Sequence, residues 1–160
     1  MAARTPTATH FGCTRPDDCV EQRAGRYLTA IHWLGDESDV RVRTGAVSDR
    51  VGVTPATVTE AFERLAADAL VDYEKGAGVV LTDRGAQIAR ALARRQCVVR
   101  AFFATELGVE YGPGDGYRFG YALSEDGVEA LRRLVDFPAE QCWQGPGEYA
   151  DDCPCETMAP

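Results

Sequence analysis

The chain contains almost no lysine and very little histidine. Of the 17 basic residues among its 160 positions only Lys75 is a lysine, and only two residues are histidine. No Ser/His/Asp or Cys/His pairing and no phosphate-binding glycine loop is indicated, so we expect no enzyme activity. The chain also has no run of 18 apolar residues, and residues 1–10 lack an apolar signal core. We therefore expect a cytoplasmic protein with neither a membrane span nor a secretory signal.

The composition that remains is acidic and able to fold. The 25 acidic residues give a formal net charge of −8, and 45% of the residues are hydrophobic, which suits one compact domain or two small ones that share a core. A strongly negative surface with arginine in place of lysine is typical of extreme halophiles, because it keeps a protein hydrated in concentrated salt; a GC-rich genome alone would also give the arginine bias. The charge is uneven, since residues 101–160 carry −9 and residues 85–100 carry +4.

The spacing of apolar residues predicts five helices and one β-hairpin. The predicted elements are a helix over 19–35, a short helix from Thr44 to Gly52, a helix that starts at Thr54-Pro55, a hairpin over 70–81, a long helix over 82–108 and a last helix from Ser124. Thr44, Thr54, Thr82 and Ser124 are the candidate N-caps. The glycine-rich residues 111–116 predict a loop.

The order of these elements is typical of a winged helix–turn–helix domain. In that fold a tight turn joins two helices, the second helix enters the major groove of DNA, and a β-hairpin called the wing follows. Three features favour it over a generic small α+β domain: the three-residue turn 52–54, the polar positions Thr57, Thr59 and Glu60 on the second helix, and a glycine-containing wing that carries Lys75.

Residues 26–137 resemble the DtxR/MntR family of metal-dependent transcriptional repressors. The most specific segment is VTPATVTEAFERLAADALVDYEKGAGVVLTDRG, and RYLTAIHWL, ALARRQCVVRAFFATELGV and YALSEDGVEALRRL match the flanking helices. The resemblance implies a homodimer that binds a double-stranded DNA operator, and a mainly α fold with a small β-hairpin wing. The expected division is a flexible arm (1–18), a winged helix–turn–helix DNA-binding domain (19–84), a helical dimerisation domain (85–137) and a cysteine-containing tail (138–160).

The resemblance also places the positions at which the family binds manganese or iron(II). Family members supply acids, a methionine, histidines and glutamates from the first helix, the long helix and the helix that follows it. The residues at those positions here are Arg26, Thr29, Gln96, Arg100, Tyr117, Gly120 and Tyr121. None of them replaces a carboxylate or imidazole donor at neutral pH. We therefore predict no metal cofactor, because the usual ligands of Mn²⁺ or Fe²⁺ are absent.

The fold predicts which residues face DNA. The residues expected to face base edges and phosphates are Thr54, Ala56, Thr57, Thr59 and Glu60, and those expected to contact the phosphate backbone are Arg43, Arg64 and Lys75. Glu60 lies where one family branch carries a glutamine that reads DNA. A carboxylate there accepts from a cytosine amino group or repels phosphate, so operator preference should differ. The arginines of residues 85–100 are expected to face solvent or pair with acids rather than contact DNA.

Six cysteines leave the sensed signal open. Without a secretion signal we favour thiols over a disulfide framework. Three interpretations of these thiols stay open: they are inert small hydrophobes, they form a redox switch, or they bind a soft metal. The candidates for a thiol switch are Cys97, Cys142, Cys153 and Cys155. Two alternatives follow: a regulator that senses metal or redox state through cysteines, and a dimeric protein-interaction module without DNA binding, which the near-neutral charge of residues 41–84 keeps open.

Overall fold

A computed structural model describes residue 16 and residues 19–35 and 40–135. Within these residues the chain forms six helices and one two-stranded antiparallel sheet. The elements are α1 (Gln22–Leu34), α2 (Thr44–Val51), α3 (Pro55–Ala67), β1 (Val71–Glu74), β2 (Gly78–Leu81), α4 (Asp83–Glu106), α5 (Pro113–Ala122) and α6 (Glu125–Leu134). The predicted fold class, mainly helical with a β-hairpin after the helix–turn–helix, is confirmed. The predicted arm (1–18) and tail (138–160) lie almost wholly outside the described residues, and the other domain boundaries stay predictions.

Three of the four predicted N-caps form as expected. The hydroxyl oxygens of Thr54, Thr82 and Ser124 accept hydrogen bonds from backbone N–H groups three residues later, which satisfies donors that the first helical turn leaves unpaired. The prediction for Thr44 was wrong, because Thr44 is the first helical residue and Arg43 occupies the cap position without a side-chain bond. Gly52 ends α2 with φ +76, the left-handed conformation that glycine adopts without steric cost.

The glycine-rich segment after α4 does not stay a loop. Gly112 is the N-cap of α5, so residues 113–116 form the first turn of a helix. Gly116 and Gly120, one turn apart, lie against α4. A Cβ atom at Gly116 would overlap the Arg100 side chain, and one at Gly120 would lie 2.9 Å from the Arg95 carbonyl carbon. Glycine here therefore serves close packing of two helices rather than a turn.

The first hydrophobic core lies between α1, α2, α3, the hairpin and the first half of α4. Its fully buried side chains include Leu28, Val47, Val58, Phe62, Leu65 and Val79. Leu70 precedes the hairpin, and its carbonyl accepts from the backbone N–H of Thr82 at 3.1 Å. The contact closes the hairpin onto the beginning of α4.

A second core is built on the second half of α4. It contains Trp33 from α1, Ala93, Cys97, Val98 and Ala101 from α4, and Val128 and Val135 from the α6 region. Ion pairs surround it: Arg94 contacts Glu125 at 2.8 Å and Glu129 at 3.1 Å, and Arg95 contacts Glu125 at 2.9 Å. Hydrogen bonds from Arg132 hold the pKa of Glu129 below its usual range. The expected pairing of long-helix arginines with acids is thus confirmed for Arg94 and Arg95.

Several apolar side chains stay on the surface of this second half. Leu107 is 54% exposed and Leu134 is 64% exposed, while Phe102 and Leu131 pack partly against the second core. Phe103, Tyr111 and Phe119 form a ring cluster with centroid distances of 4.6 to 5.5 Å. None of the helices among the described residues combines the length and apolar character that crossing a bilayer demands.

We expect Gly85→Ala to destabilise the protein by about 1–3 kcal/mol, the usual cost of inserting a methyl into a packed site. Gly85 is buried at the start of α4, and a Cβ there would overlap the carbonyl oxygen of Leu70. Gly45 in α2 is the matched control: it is exposed and nothing lies within 4 Å of its ideal Cβ. Gly45→Ala should leave the free energy of unfolding unchanged or raise it by up to about 1 kcal/mol. Urea denaturation measures both, and equal stability of the two variants would contradict the packing.

Candidate nucleic-acid interface and helix junction

The amino-terminal half of α3 presents the side chains predicted to face DNA. Thr54, Ala56, Thr57 and Glu60 are exposed, and Thr59 is half-buried. The opposite side of α3 is buried through Val58, Phe62 and Leu65. The helix is therefore anchored by its apolar face and leaves its polar face open, as a helix that enters a groove must do.

The hydroxyl groups of this face are already ordered by the helix itself. Thr54 Oγ1 accepts from the Thr57 backbone N–H at 3.3 Å and shares a 2.9 Å hydrogen bond with Thr57 Oγ1. Thr59 Oγ1 donates to the Pro55 carbonyl at 3.1 Å. Because its proton is used inside the helix, Thr59 offers an acceptor to an incoming ligand, as does the neighbouring Glu60 carboxylate.

The three predicted backbone contacts lie at exposed positions around α3. Arg43 directly precedes α2, Arg64 lies in the last turn of α3, and Lys75 lies in the turn that joins β1 to β2. All three residues are exposed, so their charged groups are accessible to phosphates.

Arg41 was missing from the predicted set. It is half-buried, and its guanidinium lies on the hairpin, 2.9 Å from the carboxylate and 2.9 Å from the carbonyl oxygen of Asp72. The partners are 31 residues apart in the chain, so no local pattern reveals the pairing. The alternation Val40-Arg41-Val42-Arg43, with Val42 buried, was the available signal.

Helices α1, α4 and α5 pack against one another at a junction, and they carry the seven positions that the resemblance matches to the family's metal ligands. Arg26 and Thr29 lie on α1, Gln96 and Arg100 on α4, and Tyr117, Gly120 and Tyr121 on α5. Thr29, Gln96 and Tyr117 are buried, with Tyr117 only 3% exposed. Three of the seven positions therefore lie in the buried part of the junction.

Two tyrosine hydroxyls hold the junction together. Tyr117 donates to the Gln22 carbonyl at 2.6 Å, and Tyr121 donates to the Val20 carbonyl at 2.8 Å, so α5 is tied to the beginning of α1. Burial raises the pKa of Tyr117 well above its usual range, and Tyr121 adds to the rise, while the positive charge of Arg26 opposes it. Tyr117 is therefore a neutral phenol that donates a hydrogen bond.

Other polar groups of the junction either form hydrogen bonds or carry a positive charge. Thr29 Oγ1 donates to the Arg26 carbonyl at 3.0 Å, and the Gly120 carbonyl accepts from Arg95 at 3.1 Å. Arg26 and Arg100 carry guanidinium groups, which have no acceptor atom. Across the part of the chain that the structure describes, no group of three or more His, Cys, Asp or Glu side chains is placed to hold a metal ion.

Arg95 is the buried cation of this region. It is 3% exposed and donates to the carbonyl oxygens of Gly120 and Leu123 as well as to Glu125. Burial lowers the pKa of its guanidinium, and the Glu125 carboxylate acts against that change. Arg95 thus binds the carboxyl end of α5 and the beginning of α6 at once.

The two cysteines that the structure describes, Cys19 and Cys97, differ in their oxidation state. Cys97 is a thiol that is 2% exposed and packs in the second core. Cys19 is part of a disulfide bond, so our preference for thiols over disulfides was wrong at this residue. The other predicted switch residues Cys142, Cys153 and Cys155 lie outside the described residues.

Comparisons with known proteins agree with this geometry. Residues 20–79 match the family described as iron dependent repressor, N-terminal DNA binding domain. The HTH-type transcriptional regulator MntR of Oceanobacillus iheyensis is 35% identical over 115 residues, which cover 69% of this chain and 76% of that protein. The MntR of Listeria monocytogenes serotype 4a is 31% identical, with 69% and 78% covered.

Solved structures give the same result. A manganese-dependent transcriptional repressor, solved in complex with manganese, superposes with a TM-score of 0.61 at 29% identity. The match covers 72% of this chain and 53% of that one, so the chain spans about half the length of that repressor. The exposed polar face of α3, the wing after it and these relatives lead to one conclusion: the chain belongs to the DtxR/MntR family of winged helix–turn–helix transcriptional regulators.

Proposed function

We propose that this regulator is a cytoplasmic homodimer, without enzyme activity, that binds a double-stranded DNA operator in a sequence-specific way. The observation that carries the proposal is the exposed polar face of α3, flanked by the exposed cations Arg43, Arg64 and Lys75. In this arrangement α3 enters the major groove, and the wing turn meets the adjacent phosphate backbone.

Base preference depends on the acceptors of α3. Thr59 and Glu60 present acceptor atoms beside each other, while the Thr59 proton is held by Pro55. In the major groove the exocyclic amino groups of cytosine and adenine are the donors. The operator of this protein therefore places such amino groups, cytosine above all, opposite Glu60.

Replacing Thr57 or Thr59 with alanine should weaken operator binding by about 1–3 kcal/mol, the range for a well-ordered polar base contact. Thr105→Ala is the control, because the exposed Thr105 hydroxyl donates to the Ala101 carbonyl in the same way on α4. Lys75→Ala should weaken binding to all sequences alike and reduce the salt slope by about 1. Gel shifts with genomic fragments across a salt series measure each effect. Unchanged footprints in the Thr57, Thr59 and Lys75 variants would show that the groove assignment is wrong.

The same gel shift tests the alternative of a protein-interaction module without DNA binding. Residues 41–84 contain six basic and seven acidic side chains, so this segment has little net electrostatic attraction to DNA even at low salt. The assay also includes concentrated salt, because that is where an acidic, arginine-rich protein is expected to work. Absence of binding to any fragment at every salt concentration would favour the interaction module.

The proposed dimer uses apolar side chains on the second half of the fold. Leu107, Val109, Phe119 and Leu134 are the large apolar side chains at least 40% exposed in residues 83–135. Phe119 was not foreseen; it packs on Phe103 and Tyr111, which gives the exposed ring a rigid support. Large exposed apolar side chains of this kind are suited to a protein interface, and a two-fold dimer matches a palindromic operator.

Leu107→Asp and Leu134→Asp should each shift the protein from dimer to monomer, because a carboxylate at a buried interface loses its hydration. Val40→Asp is the matched control, since Val40 is 66% exposed and lies before α2. Sedimentation velocity at micromolar protein in high salt gives the answer. A wild-type protein that sediments as a monomer would refute the dimer.

We further propose that operator binding does not require Mn²⁺ or Fe²⁺. A hard divalent cation needs several carboxylate or imidazole donors, and the seven junction residues provide none. The proposal is supported by the hydroxyl groups of Tyr117, Tyr121 and Thr29, each of which donates a hydrogen bond to a backbone carbonyl. Hydrogen bonds from the two tyrosines join α5 to Gln22 of α1 and to Val20 just before it, without a metal ion.

Adding micromolar Mn²⁺ or Fe²⁺ to chelator-treated, reduced protein should leave operator affinity unchanged. Calorimetry and gel shifts read metal binding and its consequence separately. Stoichiometric Mn²⁺ binding that survives replacement of all six cysteines by alanine would overturn the proposal. Loss of DNA binding on mild oxidation would instead favour control through the cysteines.

A further inference from the structure

The wing of this protein is unfavourably charged for a segment that approaches DNA. Its hairpin, residues 71–81, carries Asp72, Glu74 and Lys75, so its own formal charge is −1. The side chains of Asp72 and Glu74 are 64% and 66% exposed and lie on the strand that leads to Lys75. Carboxylates this close to the wing turn repel phosphates and oppose the contact that Lys75 would make.

Arg41 forms ion pairs with both carboxylates. Its Nη2 atom lies 2.9 Å from Asp72 Oδ2, and its Nε atom lies 3.6 Å from Glu74 Oε2. With Arg41 included, the formal charge of the hairpin and its partner is zero. The exposed surface of β1 is therefore neutralised by a residue from outside the hairpin.

The same guanidinium also holds the hairpin backbone. Nη1 donates to the carbonyl oxygen of Asp72 on β1 at 2.9 Å and to that of Gly78 on β2 at 3.3 Å. One side chain thus bridges the two strands and both carboxylates. Arginine is suited to this because its planar fork carries five donors, whereas lysine has a single ammonium.

The backbone next to Arg41 gives the contact its fixed position. Val42 and Val79 exchange two hydrogen bonds, of 2.8 and 2.9 Å, so the segment before α2 pairs with β2. Gly78 permits this approach, since it has φ +117 and a Cβ there would overlap the Val42 carbonyl oxygen. Arg41 therefore directly precedes a residue that is hydrogen-bonded to β2, which holds its backbone beside the hairpin.

We propose that Arg41, held against the hairpin by its hydrogen bonds to the Asp72 and Gly78 carbonyls, is the positioning residue of the wing: it neutralises Asp72 and Glu74 so that Lys75 contacts the DNA backbone. Arg41 itself does not contact DNA. This inference rests on the proposed function, because it matters only if the wing meets DNA.

The experiment compares four proteins by gel shift across a salt series, using the genomic fragment that the wild type binds. Arg41→Ala should weaken binding by about threefold to tenfold at low salt, since two exposed charges together contribute on that order. Adding Asp72→Asn and Glu74→Gln to Arg41→Ala should restore wild-type affinity, because the triple variant has no carboxylate left to mask. Arg118→Ala is the matched control: it removes an exposed arginine that pairs with Asp115 at 3.4 Å on α5, and it should change nothing.

The outcomes separate the two proposals. Thermal unfolding confirms that each variant is folded. Weak binding by Arg41→Ala together with recovery in the triple variant supports charge masking. If Arg41 had a purely structural role, the triple variant would not recover. Full binding by Arg41→Ala, or no recovery in the triple variant, overturns the inference while leaving the proposed function intact. A wild-type protein that binds no fragment overturns the proposed function itself.

Discussion

The structure depends on the packing of one continuous helix, α4, against two separate cores. Its first half contributes Ile88, Ala89 and Leu92 to the core of the winged domain, and its second half contributes Ala93, Cys97 and Val98 to the core formed with α6. A helix of 24 residues is long enough to do both because it rises about 1.5 Å per residue. Burial of apolar surface on both halves fixes the orientation of α3 and the wing relative to α5 and α6.

The buried Arg95 is the costly part of this arrangement. Transfer of a guanidinium from water to the interior costs several kcal/mol unless its donors are satisfied. Here they meet a carboxylate and the two carbonyls at the end of α5. These carbonyls have no partner within their own helix, so the cation satisfies acceptors that would otherwise need another donor. The ion pair between Arg95 and Glu125 thus fixes the connection between α5 and α6 rather than adding much to the free energy of unfolding.

Local features of the fold were readable from the sequence, and contacts distant in the chain were not. The beginnings of three helices could be predicted because N-capping depends on residues within four positions of each other. They are Thr54-Pro55, Thr82-Asp83 and Ser124. The glycine-rich beginning of α5 was interpreted as a loop, since glycine usually weakens a helix. The contact with the Arg100 side chain of α4 explains the glycine at position 116, whereas Gly112 and Gly114 have open space around their ideal Cβ positions.

The candidate site shows the same division. Exposure of Thr57 and Glu60 follows from helical periodicity, and the seven junction positions were named from the family resemblance alone. Arg41 on Asp72 and Tyr121 on Val20 join residues 31 and 101 positions apart, which no pattern within an element reveals. The sequence also gave no sign that Cys19 is oxidised. Sequence reasoning therefore identified the surfaces and missed the groups that hold them in place.

The close packing of α5 on α4 limits which side chains the junction accepts. At Gly120, which the resemblance matches to a glutamate of the family, a Cβ would lie 2.9 to 3.0 Å from the backbone and Cβ of Arg95 and the backbone N of Gln96. Replacing Gly120 with glutamate therefore meets a steric barrier before the carboxylate reaches the junction. A larger side chain at this position requires α5 to move away from α4, and with it the Tyr117 and Tyr121 hydroxyls that bond the carbonyls of residues 22 and 20. Helix packing alone therefore restricts the chemistry that this position accepts.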